Sequence, residues 1–476
     1  MEPERRRRSV VPLLAGVVIG MLAAGVLVPV LVGSHTTTTI AADVAPEGGI
    51  APGATGAAPT ETTVAAGAGT VPSGGATATT LAGRAAAAGA ARDASPVKVG
   101  FTLFDVGGAS KLGFAIGADP AQERQAWQAM VDYVNSTGGL NGRPVQPVWS
   151  TYDLTNGDSQ QASCLALTQD AHVFAVLGGY NYPAASECVV DSNRTLLVNN
   201  NAFSLDELYR SGRHLSIFAR SSRMMVTFAQ RMAAEGQIKG RKIGILDDLG
   251  GDPTKSVINA LVDQVKALGG DVVHESILSG DLASGSSRVP VEVNQMRTAG
   301  VQVVLLLASP LFGTQFVEQA DSQQWKPVYA GSDWDVWYTD TGAQNMPASF
   351  DGAYSVVTVR TGEWRTGTPE PAPAARCRQI FEQMTKTKAP DRGTDFYGSI
   401  MQICDAYLLF ARIARAAPAL DQASFMAAAQ RLGHVDEAAW GGGSLGPGKF
   451  DLNDATRIIR WHADCKCWKP ATPFEG

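Results

Sequence analysis

The chain contains little of what metal-dependent or nucleophilic catalysis requires. It has six histidines in 476 residues, and none of them forms an H-E-x-x-H motif or a ligand pair at helical spacing. The segment 442–446 fits G-x-S-x-G around Ser444, but the glycines before it and Pro447 after it exclude the strand-to-helix turn of a nucleophile elbow. Thr254 stands where a P-loop needs glycine, directly before Lys255. The sequence therefore predicts no enzyme, no metal site and no cofactor.

Charged residues are sparse, and the basic ones form no surface stripe. They make up 18% of the chain, and the formal net charge is −6. No run of Lys and Arg alternates with aromatic residues, as it does in many nucleic-acid-binding surfaces. Nucleic acid is therefore not a predicted partner.

The basic cluster Arg5 to Arg8 precedes an apolar run from Val10 to Val32. A helix of ~23 residues is long enough to cross a hydrocarbon core of about 30 Å, and the arginines place the N-terminus in the cytoplasm. We expect residues 1–33 to be a single transmembrane anchor, with a cleaved signal segment as the alternative. No cysteine lies near the end of the run, which excludes a lipid on an N-terminal cysteine.

Residues 34–95 contain almost no aromatic side chains and little charge, and are rich in Ala, Gly, Thr and Pro. Such a segment cannot bury enough apolar surface to offset its ordering entropy. We predict a disordered linker whose ends are on the order of 45 Å apart. The remaining ~375 residues exceed the ~250–300 at which a single core stops growing, so two lobes are expected.

Strand and helix periods alternate from Val97 onward. Val97 to Leu103 has the pattern of a core strand, and residues 121–134 carry an apolar stripe at helical spacing. Gly138-Gly139 ends the helix, and a second strand runs from Val145 to about Thr151. Strand, crossover helix and strand form a βαβ unit, and its repetition along the chain predicts an α/β fold with parallel sheets.

One segment carries a family resemblance. Asn135-x-x-Gly138-Gly139-Leu140-Asn141-Gly142-Arg143-Pro144-Val145, followed by Tyr152-Asp153, resembles the first lobe of leucine/isoleucine/valine-binding-type solute receptors, the type I periplasmic binding proteins of ABC transporters. The likeness continues in order over most of Val97 to Trp468 and includes Tyr397-Gly398-Ser399. It implies two doubly wound parallel-sheet lobes joined by a three-crossing hinge, preceded here by the N-terminal transmembrane or signal helix.

The resemblance also implies a domain order and a function. Lobe one would comprise residues 96–217 and 356–447, lobe two residues 218–355, and residues 448–476 would form a final ribbon that returns to lobe two. The protein would capture a small polar molecule, such as an amino acid or an amide, outside the cytoplasm and present it to an ABC permease. The alternative is a sensory or envelope interaction module that keeps the fold and signals to a protein partner.

Ligands of open parallel sheets bind beyond the carboxyl ends of the strands, and the resemblance points to the same loops. The predicted ligand-binding residues are Tyr180, Asn181, Tyr182, Asn200 and Asn201 in lobe one, and Asp248, Ser309, Ser332, Asp333 and Trp334 in lobe two. Amino-acid binders place Ser and Thr where this chain has Tyr180 and Asn181, which counts against an α-amino-acid ligand. Three alternatives stay open: a turn formed by the asparagines, a helix cap formed by Asp248, and packing of Trp334 inside its lobe.

The six cysteines all lie beyond the predicted span. They are Cys164, Cys188, Cys377, Cys404, Cys465 and Cys467. An even number in an exported chain suggests disulfides, for which the sequence alone allows fifteen connectivities. The family resemblance implies a bridge between Cys164 and Cys188, and Cys377 and Cys404 lie on successive predicted helices and could pair. A bond between Cys465 and Cys467 would close a very tight loop, and with His462 nearby a metal site is the less favoured alternative.

Overall fold

The computed structural model describes residues 95–105, 107, 118–154, 156–201, 205–248, 252–278 and 282–476. The predicted membrane segment Val10 to Val32 and nearly all of the predicted linker lie outside these residues. Among the residues described, none of the helices combines the length and the apolar character that crossing a bilayer requires.

The strands and helices alternate through most of the described chain. The strands are β1 Val97–Asp105, β2 Val145–Asp153, β3 Ala175–Gly178, β4 Leu196–Asn199, β5 His214–Ser216, β6 Lys242–Asp247, β7 Asp271–Ile277, β8 Val303–Leu307, β9 Val328–Ser332, β10 Tyr354–Val357, β11 Gly433–Val435, β12 Gly443–Leu445, β13 Arg457–His462 and β14 Cys467–Pro470. The helices are α1 Pro120–Ser136, α2 Gly157–Leu165, α3 Pro183–Glu187, α4 Asp206–Tyr209, α5 Ser221–Ala234, α6 Asp252–Ala267, α7 Leu282–Ala299, α8 Pro310–Ser322, α9 Asp340–Ala343, α10 Ala372–Thr385, α11 Asp395–Ala416 and α12 Gln422–Ala429. Short π-helical turns cover Ala166–Asp170 and Cys188–Ser192, and 3-10 turns cover Asp333–Asp335, Ala348–Phe350 and Glu363–Thr366.

Lobe one is built on a parallel sheet. In the described chain its strand order is β2-β1-β3-β4-β5. Helix α1 starts at a capping box between Asp119 and Gln122, which satisfies two backbone N–H groups at its N-terminus. The later helices α10 and α11 pack against α1, and Tyr407 of α11 lies against Phe101 and Trp127. The chain therefore returns to lobe one after it has built lobe two.

Lobe two is built on a mixed sheet with strand order β14-β13-β10-β9-β8-β6-β7 in the described chain. The pairs from β7 to β10 are parallel, whereas β13 pairs antiparallel with both β10 and β14. Phe350 lies at the centre of an aromatic cluster, with ring centroids 6.0 Å from Trp337, 5.6 Å from Trp461 and 6.2 Å from Trp468. This packing fixes the final ribbon β13-β14 to the lobe-two core.

Three chain segments cross between the lobes, after β5, after β10 and before β13. The first and third run side by side, because Ser216 donates its N–H to Phe450 O at 2.9 Å and accepts the N–H of Leu452 at 2.9 Å. The second crossing is joined to lobe one by the N–H of Arg360, which donates to Ala439 O at 2.7 Å. The predicted fold class, two parallel-sheet lobes on a three-crossing hinge, is confirmed.

The cysteines are paired as Cys164–Cys188, Cys377–Cys404 and Cys465–Cys467. The first pair joins α2 to the π-helical turn after α3, the second joins α10 to α11, and the third closes the turn between β13 and β14. The two cysteines of the third pair are 2 residues apart in the sequence, so their bond closes the very tight loop considered above. Among the described residues no group of three or more His, Cys, Asp or Glu side chains could hold a metal ion.

Candidate functional site

A cavity of about 920 Å³ separates the two lobes. It opens at the carboxyl ends of the parallel strands of both sheets, where such folds place their ligands. Six of the residues that line the cavity lie in or directly after these strands. They are Thr102 of β1, Gly178 of β3, Asn200 after β4, Asp248 after β6, Ser309 after β8 and Asp333 after β9. The two lobes and the hinge therefore enclose one common space.

The lobe-one wall is a loop that other side chains hold in place. Gln160 of α2 accepts the N–H groups of Asn181 at 2.9 Å and Tyr182 at 3.0 Å. Asn201 Nδ2 donates to Asn181 Oδ1 at 3.1 Å, which joins the loops after β3 and β4. Gly178 has φ of +115°, a backbone conformation that favours glycine. These contacts place Asn181, Tyr182 and Asn201, together with Asn200, at the cavity.

Tyr180 occupies a different place from the one predicted. It does not line the cavity; its side chain is 1% exposed, and its hydroxyl lies 3.1 Å from Ser163 Oγ on α2. Its ring packs against Tyr152, with centroids 5.3 Å apart. Burial raises the pKa of Tyr180 well above its ordinary value. The side chain of Tyr180 points into lobe one, whereas Asn181 and Tyr182, the next two residues of the loop, line the cavity.

Ser332 is the second predicted residue that the structure places away from the cavity lining. It is fully buried, and its Oγ accepts the N–H of Trp334 at 3.2 Å. This bond caps the 3-10 turn Asp333–Asp335. Ser332 therefore holds the turn that presents Asp333 and Trp334, and the prediction of direct ligand contact is corrected to this supporting role.

Asp248 and Ser309 face the cavity from lobe two as a hydrogen-bonded pair. Asp248 Oδ2 accepts the N–H of Ser309 at 2.9 Å and also its hydroxyl group. Among the described residues no donor reaches the buried Oδ1 of Asp248. Burial raises the pKa of Asp248, and the bonds from Ser309 oppose that effect. Ser309 therefore holds the Asp248 carboxyl group at the cavity wall.

Asp333 is buried at the base of the cavity, with 1% of its surface exposed. Its Oδ2 accepts the N–H of Thr358 at 2.7 Å and the Thr358 hydroxyl at 2.5 Å. Burial raises the pKa of Asp333 to about 6, against the lowering effect of these bonds. Because Thr358 begins the second hinge crossing, Asp333 connects lobe two to the hinge. Trp334 is among the residues that line the cavity, but it is 2% exposed and packs in the core.

Several residues that line the cavity were not predicted from the sequence. Glu123 of α1 is 5% exposed, and burial raises its pKa to about 8 although the Phe104 backbone N–H opposes this. Its position three residues before Ala126 puts it on the apolar stripe, a signal that could have identified it. Asp395, in the first turn of α11, accepts the Thr341 hydroxyl at 2.7 Å, and burial raises its pKa.

Two further carboxyl groups are buried beside the hinge. Glu437 is 2% exposed, and within the described chain neither of its oxygens has a hydrogen-bond donor. Asp405 of α11 accepts the N–H groups of Ala438 and Ala439 at 2.8 Å. Burial first, and then the neighbouring Asp405, raise the pKa of Glu437, while Arg360 opposes this. Because Ala438 and Ala439 line the cavity, their hydrogen bonds to Asp405 connect α11 to the cavity wall.

Two hinged parallel-sheet lobes that face each other across a cavity define a type I periplasmic binding protein. The family model described as "Periplasmic binding protein" matches residues 96–465. The chain belongs to this family, which consists of extracytoplasmic solute-binding proteins and not of enzymes. No curated protein matches the chain.

Solved structures show the same fold. A solute-binding protein of an ABC transporter from R. palustris, in complex with 4-hydroxybenzoate, is 14% identical with a TM-score of 0.61 over 80% of this chain and 96% of that one. A possible leucine/isoleucine/valine-binding protein from Rhodopirellula baltica has 14% identity and a TM-score of 0.59 over 80% and 97%. The branched-chain amino acid transporter substrate-binding protein of Streptococcus pneumoniae, in complex with isoleucine, has 14% identity and a TM-score of 0.57 over 79% and 100%. At such identities the likeness shows the fold alone.

Proposed function

We propose that the protein is a receptor that captures a small solute between its lobes and presents it to an ABC permease. The observation that carries this proposal is the cavity of about 920 Å³ lined by strand ends of both lobes. A ligand that contacts both walls binds the closed arrangement more tightly than the open one, and this difference in affinity drives closure. The titles of two similar structures name isoleucine and 4-hydroxybenzoate as bound solutes, which supports a small organic ligand here.

The proposed contacts come from both lobes. In lobe one they are Asn181, Tyr182, Asn200 and Asn201, and in lobe two Asp248, Ser309, Asp333 and Trp334. Amide, hydroxyl and carboxylate groups can orient the polar part of a solute, while the aromatic side chains cover its apolar part. A net binding energy of about 8 kcal/mol, which corresponds to micromolar affinity, is within reach of a few such contacts.

The proposed location follows from the sequence before the domain. The segment Val10 to Val32 would tether the receptor to the plasma membrane, and residues 34–95 would let it work at some distance from the bilayer. N-terminal sequencing of the mature protein distinguishes the two forms. A start at residue 1 supports the anchor, and a start between Ser34 and Asp43 supports a secreted form.

A thermal-shift screen of the full-length protein in mild detergent tests the receptor function. A ligand at 100 times its Kd stabilises the folded state by about 2.7 kcal/mol. The library should contain amino acids, amides, sugars, polyamines and aromatic acids and amines. For a solute that binds, Asn181→Ala in lobe one and Ser309→Ala in lobe two should each weaken binding, while Gln125→Ala at an exposed position of α1 should not. The receptor function is contradicted if no compound stabilises the protein. It is also contradicted if only one of the two variants, Asn181→Ala or Ser309→Ala, weakens binding.

A further inference from the structure

We infer that the solute is an aromatic amine: a flat ring system that carries a protonated nitrogen and no carboxylate. The inference rests on the proposed function and concerns the chemistry of the same cavity. It follows from the charges, the aromatic side chains and the size of that cavity.

The cavity lining carries carboxyl groups without cationic partners. Glu123, Asp248, Asp333 and Asp395 all line it, and within the described chain no Lys, Arg or His nitrogen lies at ion-pair distance from any of them. These four groups come from both lobes and face one space. A protonated nitrogen would supply the counter-charge that favours ionisation of these groups, whereas a bound carboxylate would make their ionisation more costly.

The other charged groups of the lining include positive charge. Glu363 is paired with both Arg360 at 3.1 Å and Arg457 at 2.8 Å, which leaves one positive charge over, and Asp340 is paired with Arg365. Arg392 donates to the carbonyl oxygen of Thr368 at 3.1 Å, a neutral acceptor that leaves its charge in place. The four carboxyl groups outnumber these two positive charges, so the formal charge of the described lining is negative.

The Asp248 carboxyl group lies at the cavity wall without a cation beside it. Its Oδ2 is occupied by Ser309, and its buried Oδ1 receives no hydrogen bond from the described residues. A protonated ligand nitrogen in the cavity would therefore stabilise this carboxylate through its charge at short range. The raised pKa values of Asp248 and Asp395 have the same origin, since burial without a nearby cation disfavours the charged form.

Aromatic side chains line the cavity from opposite sides. Phe104 and the 43%-exposed Tyr182 lie on lobe one, and Tyr338 lies on lobe two. Their rings offer flat apolar faces on which an aromatic ligand can stack. Rings also attract a cation placed over their faces, so they favour the same charge as the carboxyl groups.

The size of the cavity agrees with this class. A volume of about 920 Å³ is near the upper end of the roughly 300–1,000 Å³ of pockets that bury drug-sized ligands. A ring system with an aminoalkyl side chain can reach stacking faces and carboxyl groups in a space of this size. A single aliphatic amino acid would leave most of the aromatic lining without contact.

Two matched sets of three probes test the inference by isothermal titration calorimetry with the full-length protein. In each set the ring is constant and the side chain ends in an amine, an alcohol or a carboxylate: tryptamine, tryptophol and indole-3-acetate, and tyramine, tyrosol and 4-hydroxyphenylacetate. Leucine is the aliphatic reference. We expect at least one amine to bind at least tenfold more tightly than the acid of its set and more tightly than leucine. If an acid or leucine binds as tightly as the amines, the ligand class is overturned while the receptor function stands. If no amine binds, the class is overturned, and if the wider screen also finds no ligand, the receptor function falls with it.

Charge-removing variants give the second readout. Asp248→Asn should weaken amine binding at least tenfold and leave the affinity for the uncharged alcohol of the same set within twofold. Glu123→Gln, on the opposite lobe, should shift the amine-to-alcohol ratio in the same direction, which keeps the test valid if one variant folds poorly. Asp391→Asn removes the same charge from a side chain that is 91% exposed and should change neither affinity. Equal losses for amine and alcohol in both site variants would contradict a role for these charges.

Discussion

Asp333 provides a quantitative test of how the buried site affects stability. The side chain is 1% exposed, and burial raises its pKa from an ordinary 3.8 to about 6. A tenfold difference in proton affinity between the folded and unfolded states corresponds to about 1.4 kcal/mol. The ionised carboxylate therefore costs the folded state about 3 kcal/mol at neutral pH. Substitution with an isosteric neutral amide should remove this cost.

The sign of the pH dependence follows from the same values. The folded state holds its proton at Asp333 up to about pH 6, whereas the unfolded chain releases it near pH 4. Stability is therefore lost as the pH rises through this window, and the loss is complete above it. Asp333→Asn should match the parent near pH 4 and be about 2–3 kcal/mol more stable at pH 8. The Asn Oδ1 can still accept both hydrogen bonds from Thr358.

The assay is urea unfolding of the full-length parent and variant between pH 4 and pH 8, followed by tryptophan fluorescence. Asp391→Asn is the matched control, because it removes a charge from an exposed position and should follow the parent at every pH. A constant difference between Asp333→Asn and the parent from pH 4 to pH 8 would refute the reasoning, and so would a variant that becomes less stable as the pH rises.

Two further predictions concern the hinge and the lobe-two core. Burial and the neighbouring Asp405 raise the pKa of Glu437, so the free energy of unfolding decreases as the pH rises above about 4.5. In the same urea assay, Glu437→Gln should reduce this decrease by on the order of 1–3 kcal/mol between pH 5 and 8. If the parent and the variant lose the same free energy of unfolding over this range, the carboxyl group is not buried. Gly331→Ala should destabilise by about 1–3 kcal/mol, because its Cβ would lie 2.7 Å from Trp337 Cγ; a variant as stable as the parent would show that Trp337 is free to move.

The periodicity of the sequence was sufficient for most secondary structure. The strands predicted from Val97 and Val145 occur as Val97–Asp105 and Val145–Asp153, because buried parallel strands and amphipathic helices require distinct spacings of apolar residues. Helix α7 is an exception to these simple patterns, because it runs from Leu282 to Ala299 and contains Pro290. The ring of Pro290 removes one backbone donor, but the packing of Val289, Val293 and Met296 in the core supports the helix across it.

Site residues were harder to predict than the fold. Strand ends could be located from periodicity, so Asn181, Asn200, Asp248, Ser309 and Asp333 were named and do line the cavity. Their role in ligand binding stays a prediction. Side-chain direction within a loop depends on backbone turns that periodicity does not contain, which is why Tyr180 and Ser332 were assigned to the cavity while they pack inside the lobes.

By itself, the sequence determined the alternation of strands and helices, the division into two lobes and the family. These depend on apolar spacing, on chain length and on a local glycine-containing turn. All three can be read from the order of residues without knowledge of contacts between distant segments. Only the tertiary structure decided which carboxyl groups share the cavity. Glu123, Asp248, Asp333 and Asp395 are separated by up to 272 positions along the chain. Two of them lie on helices of lobe one and two follow strands of lobe two, yet all four line one cavity. Tertiary packing decides which buried carboxyl groups lack a cationic partner, because packing and not sequence order sets the neighbours of a buried group.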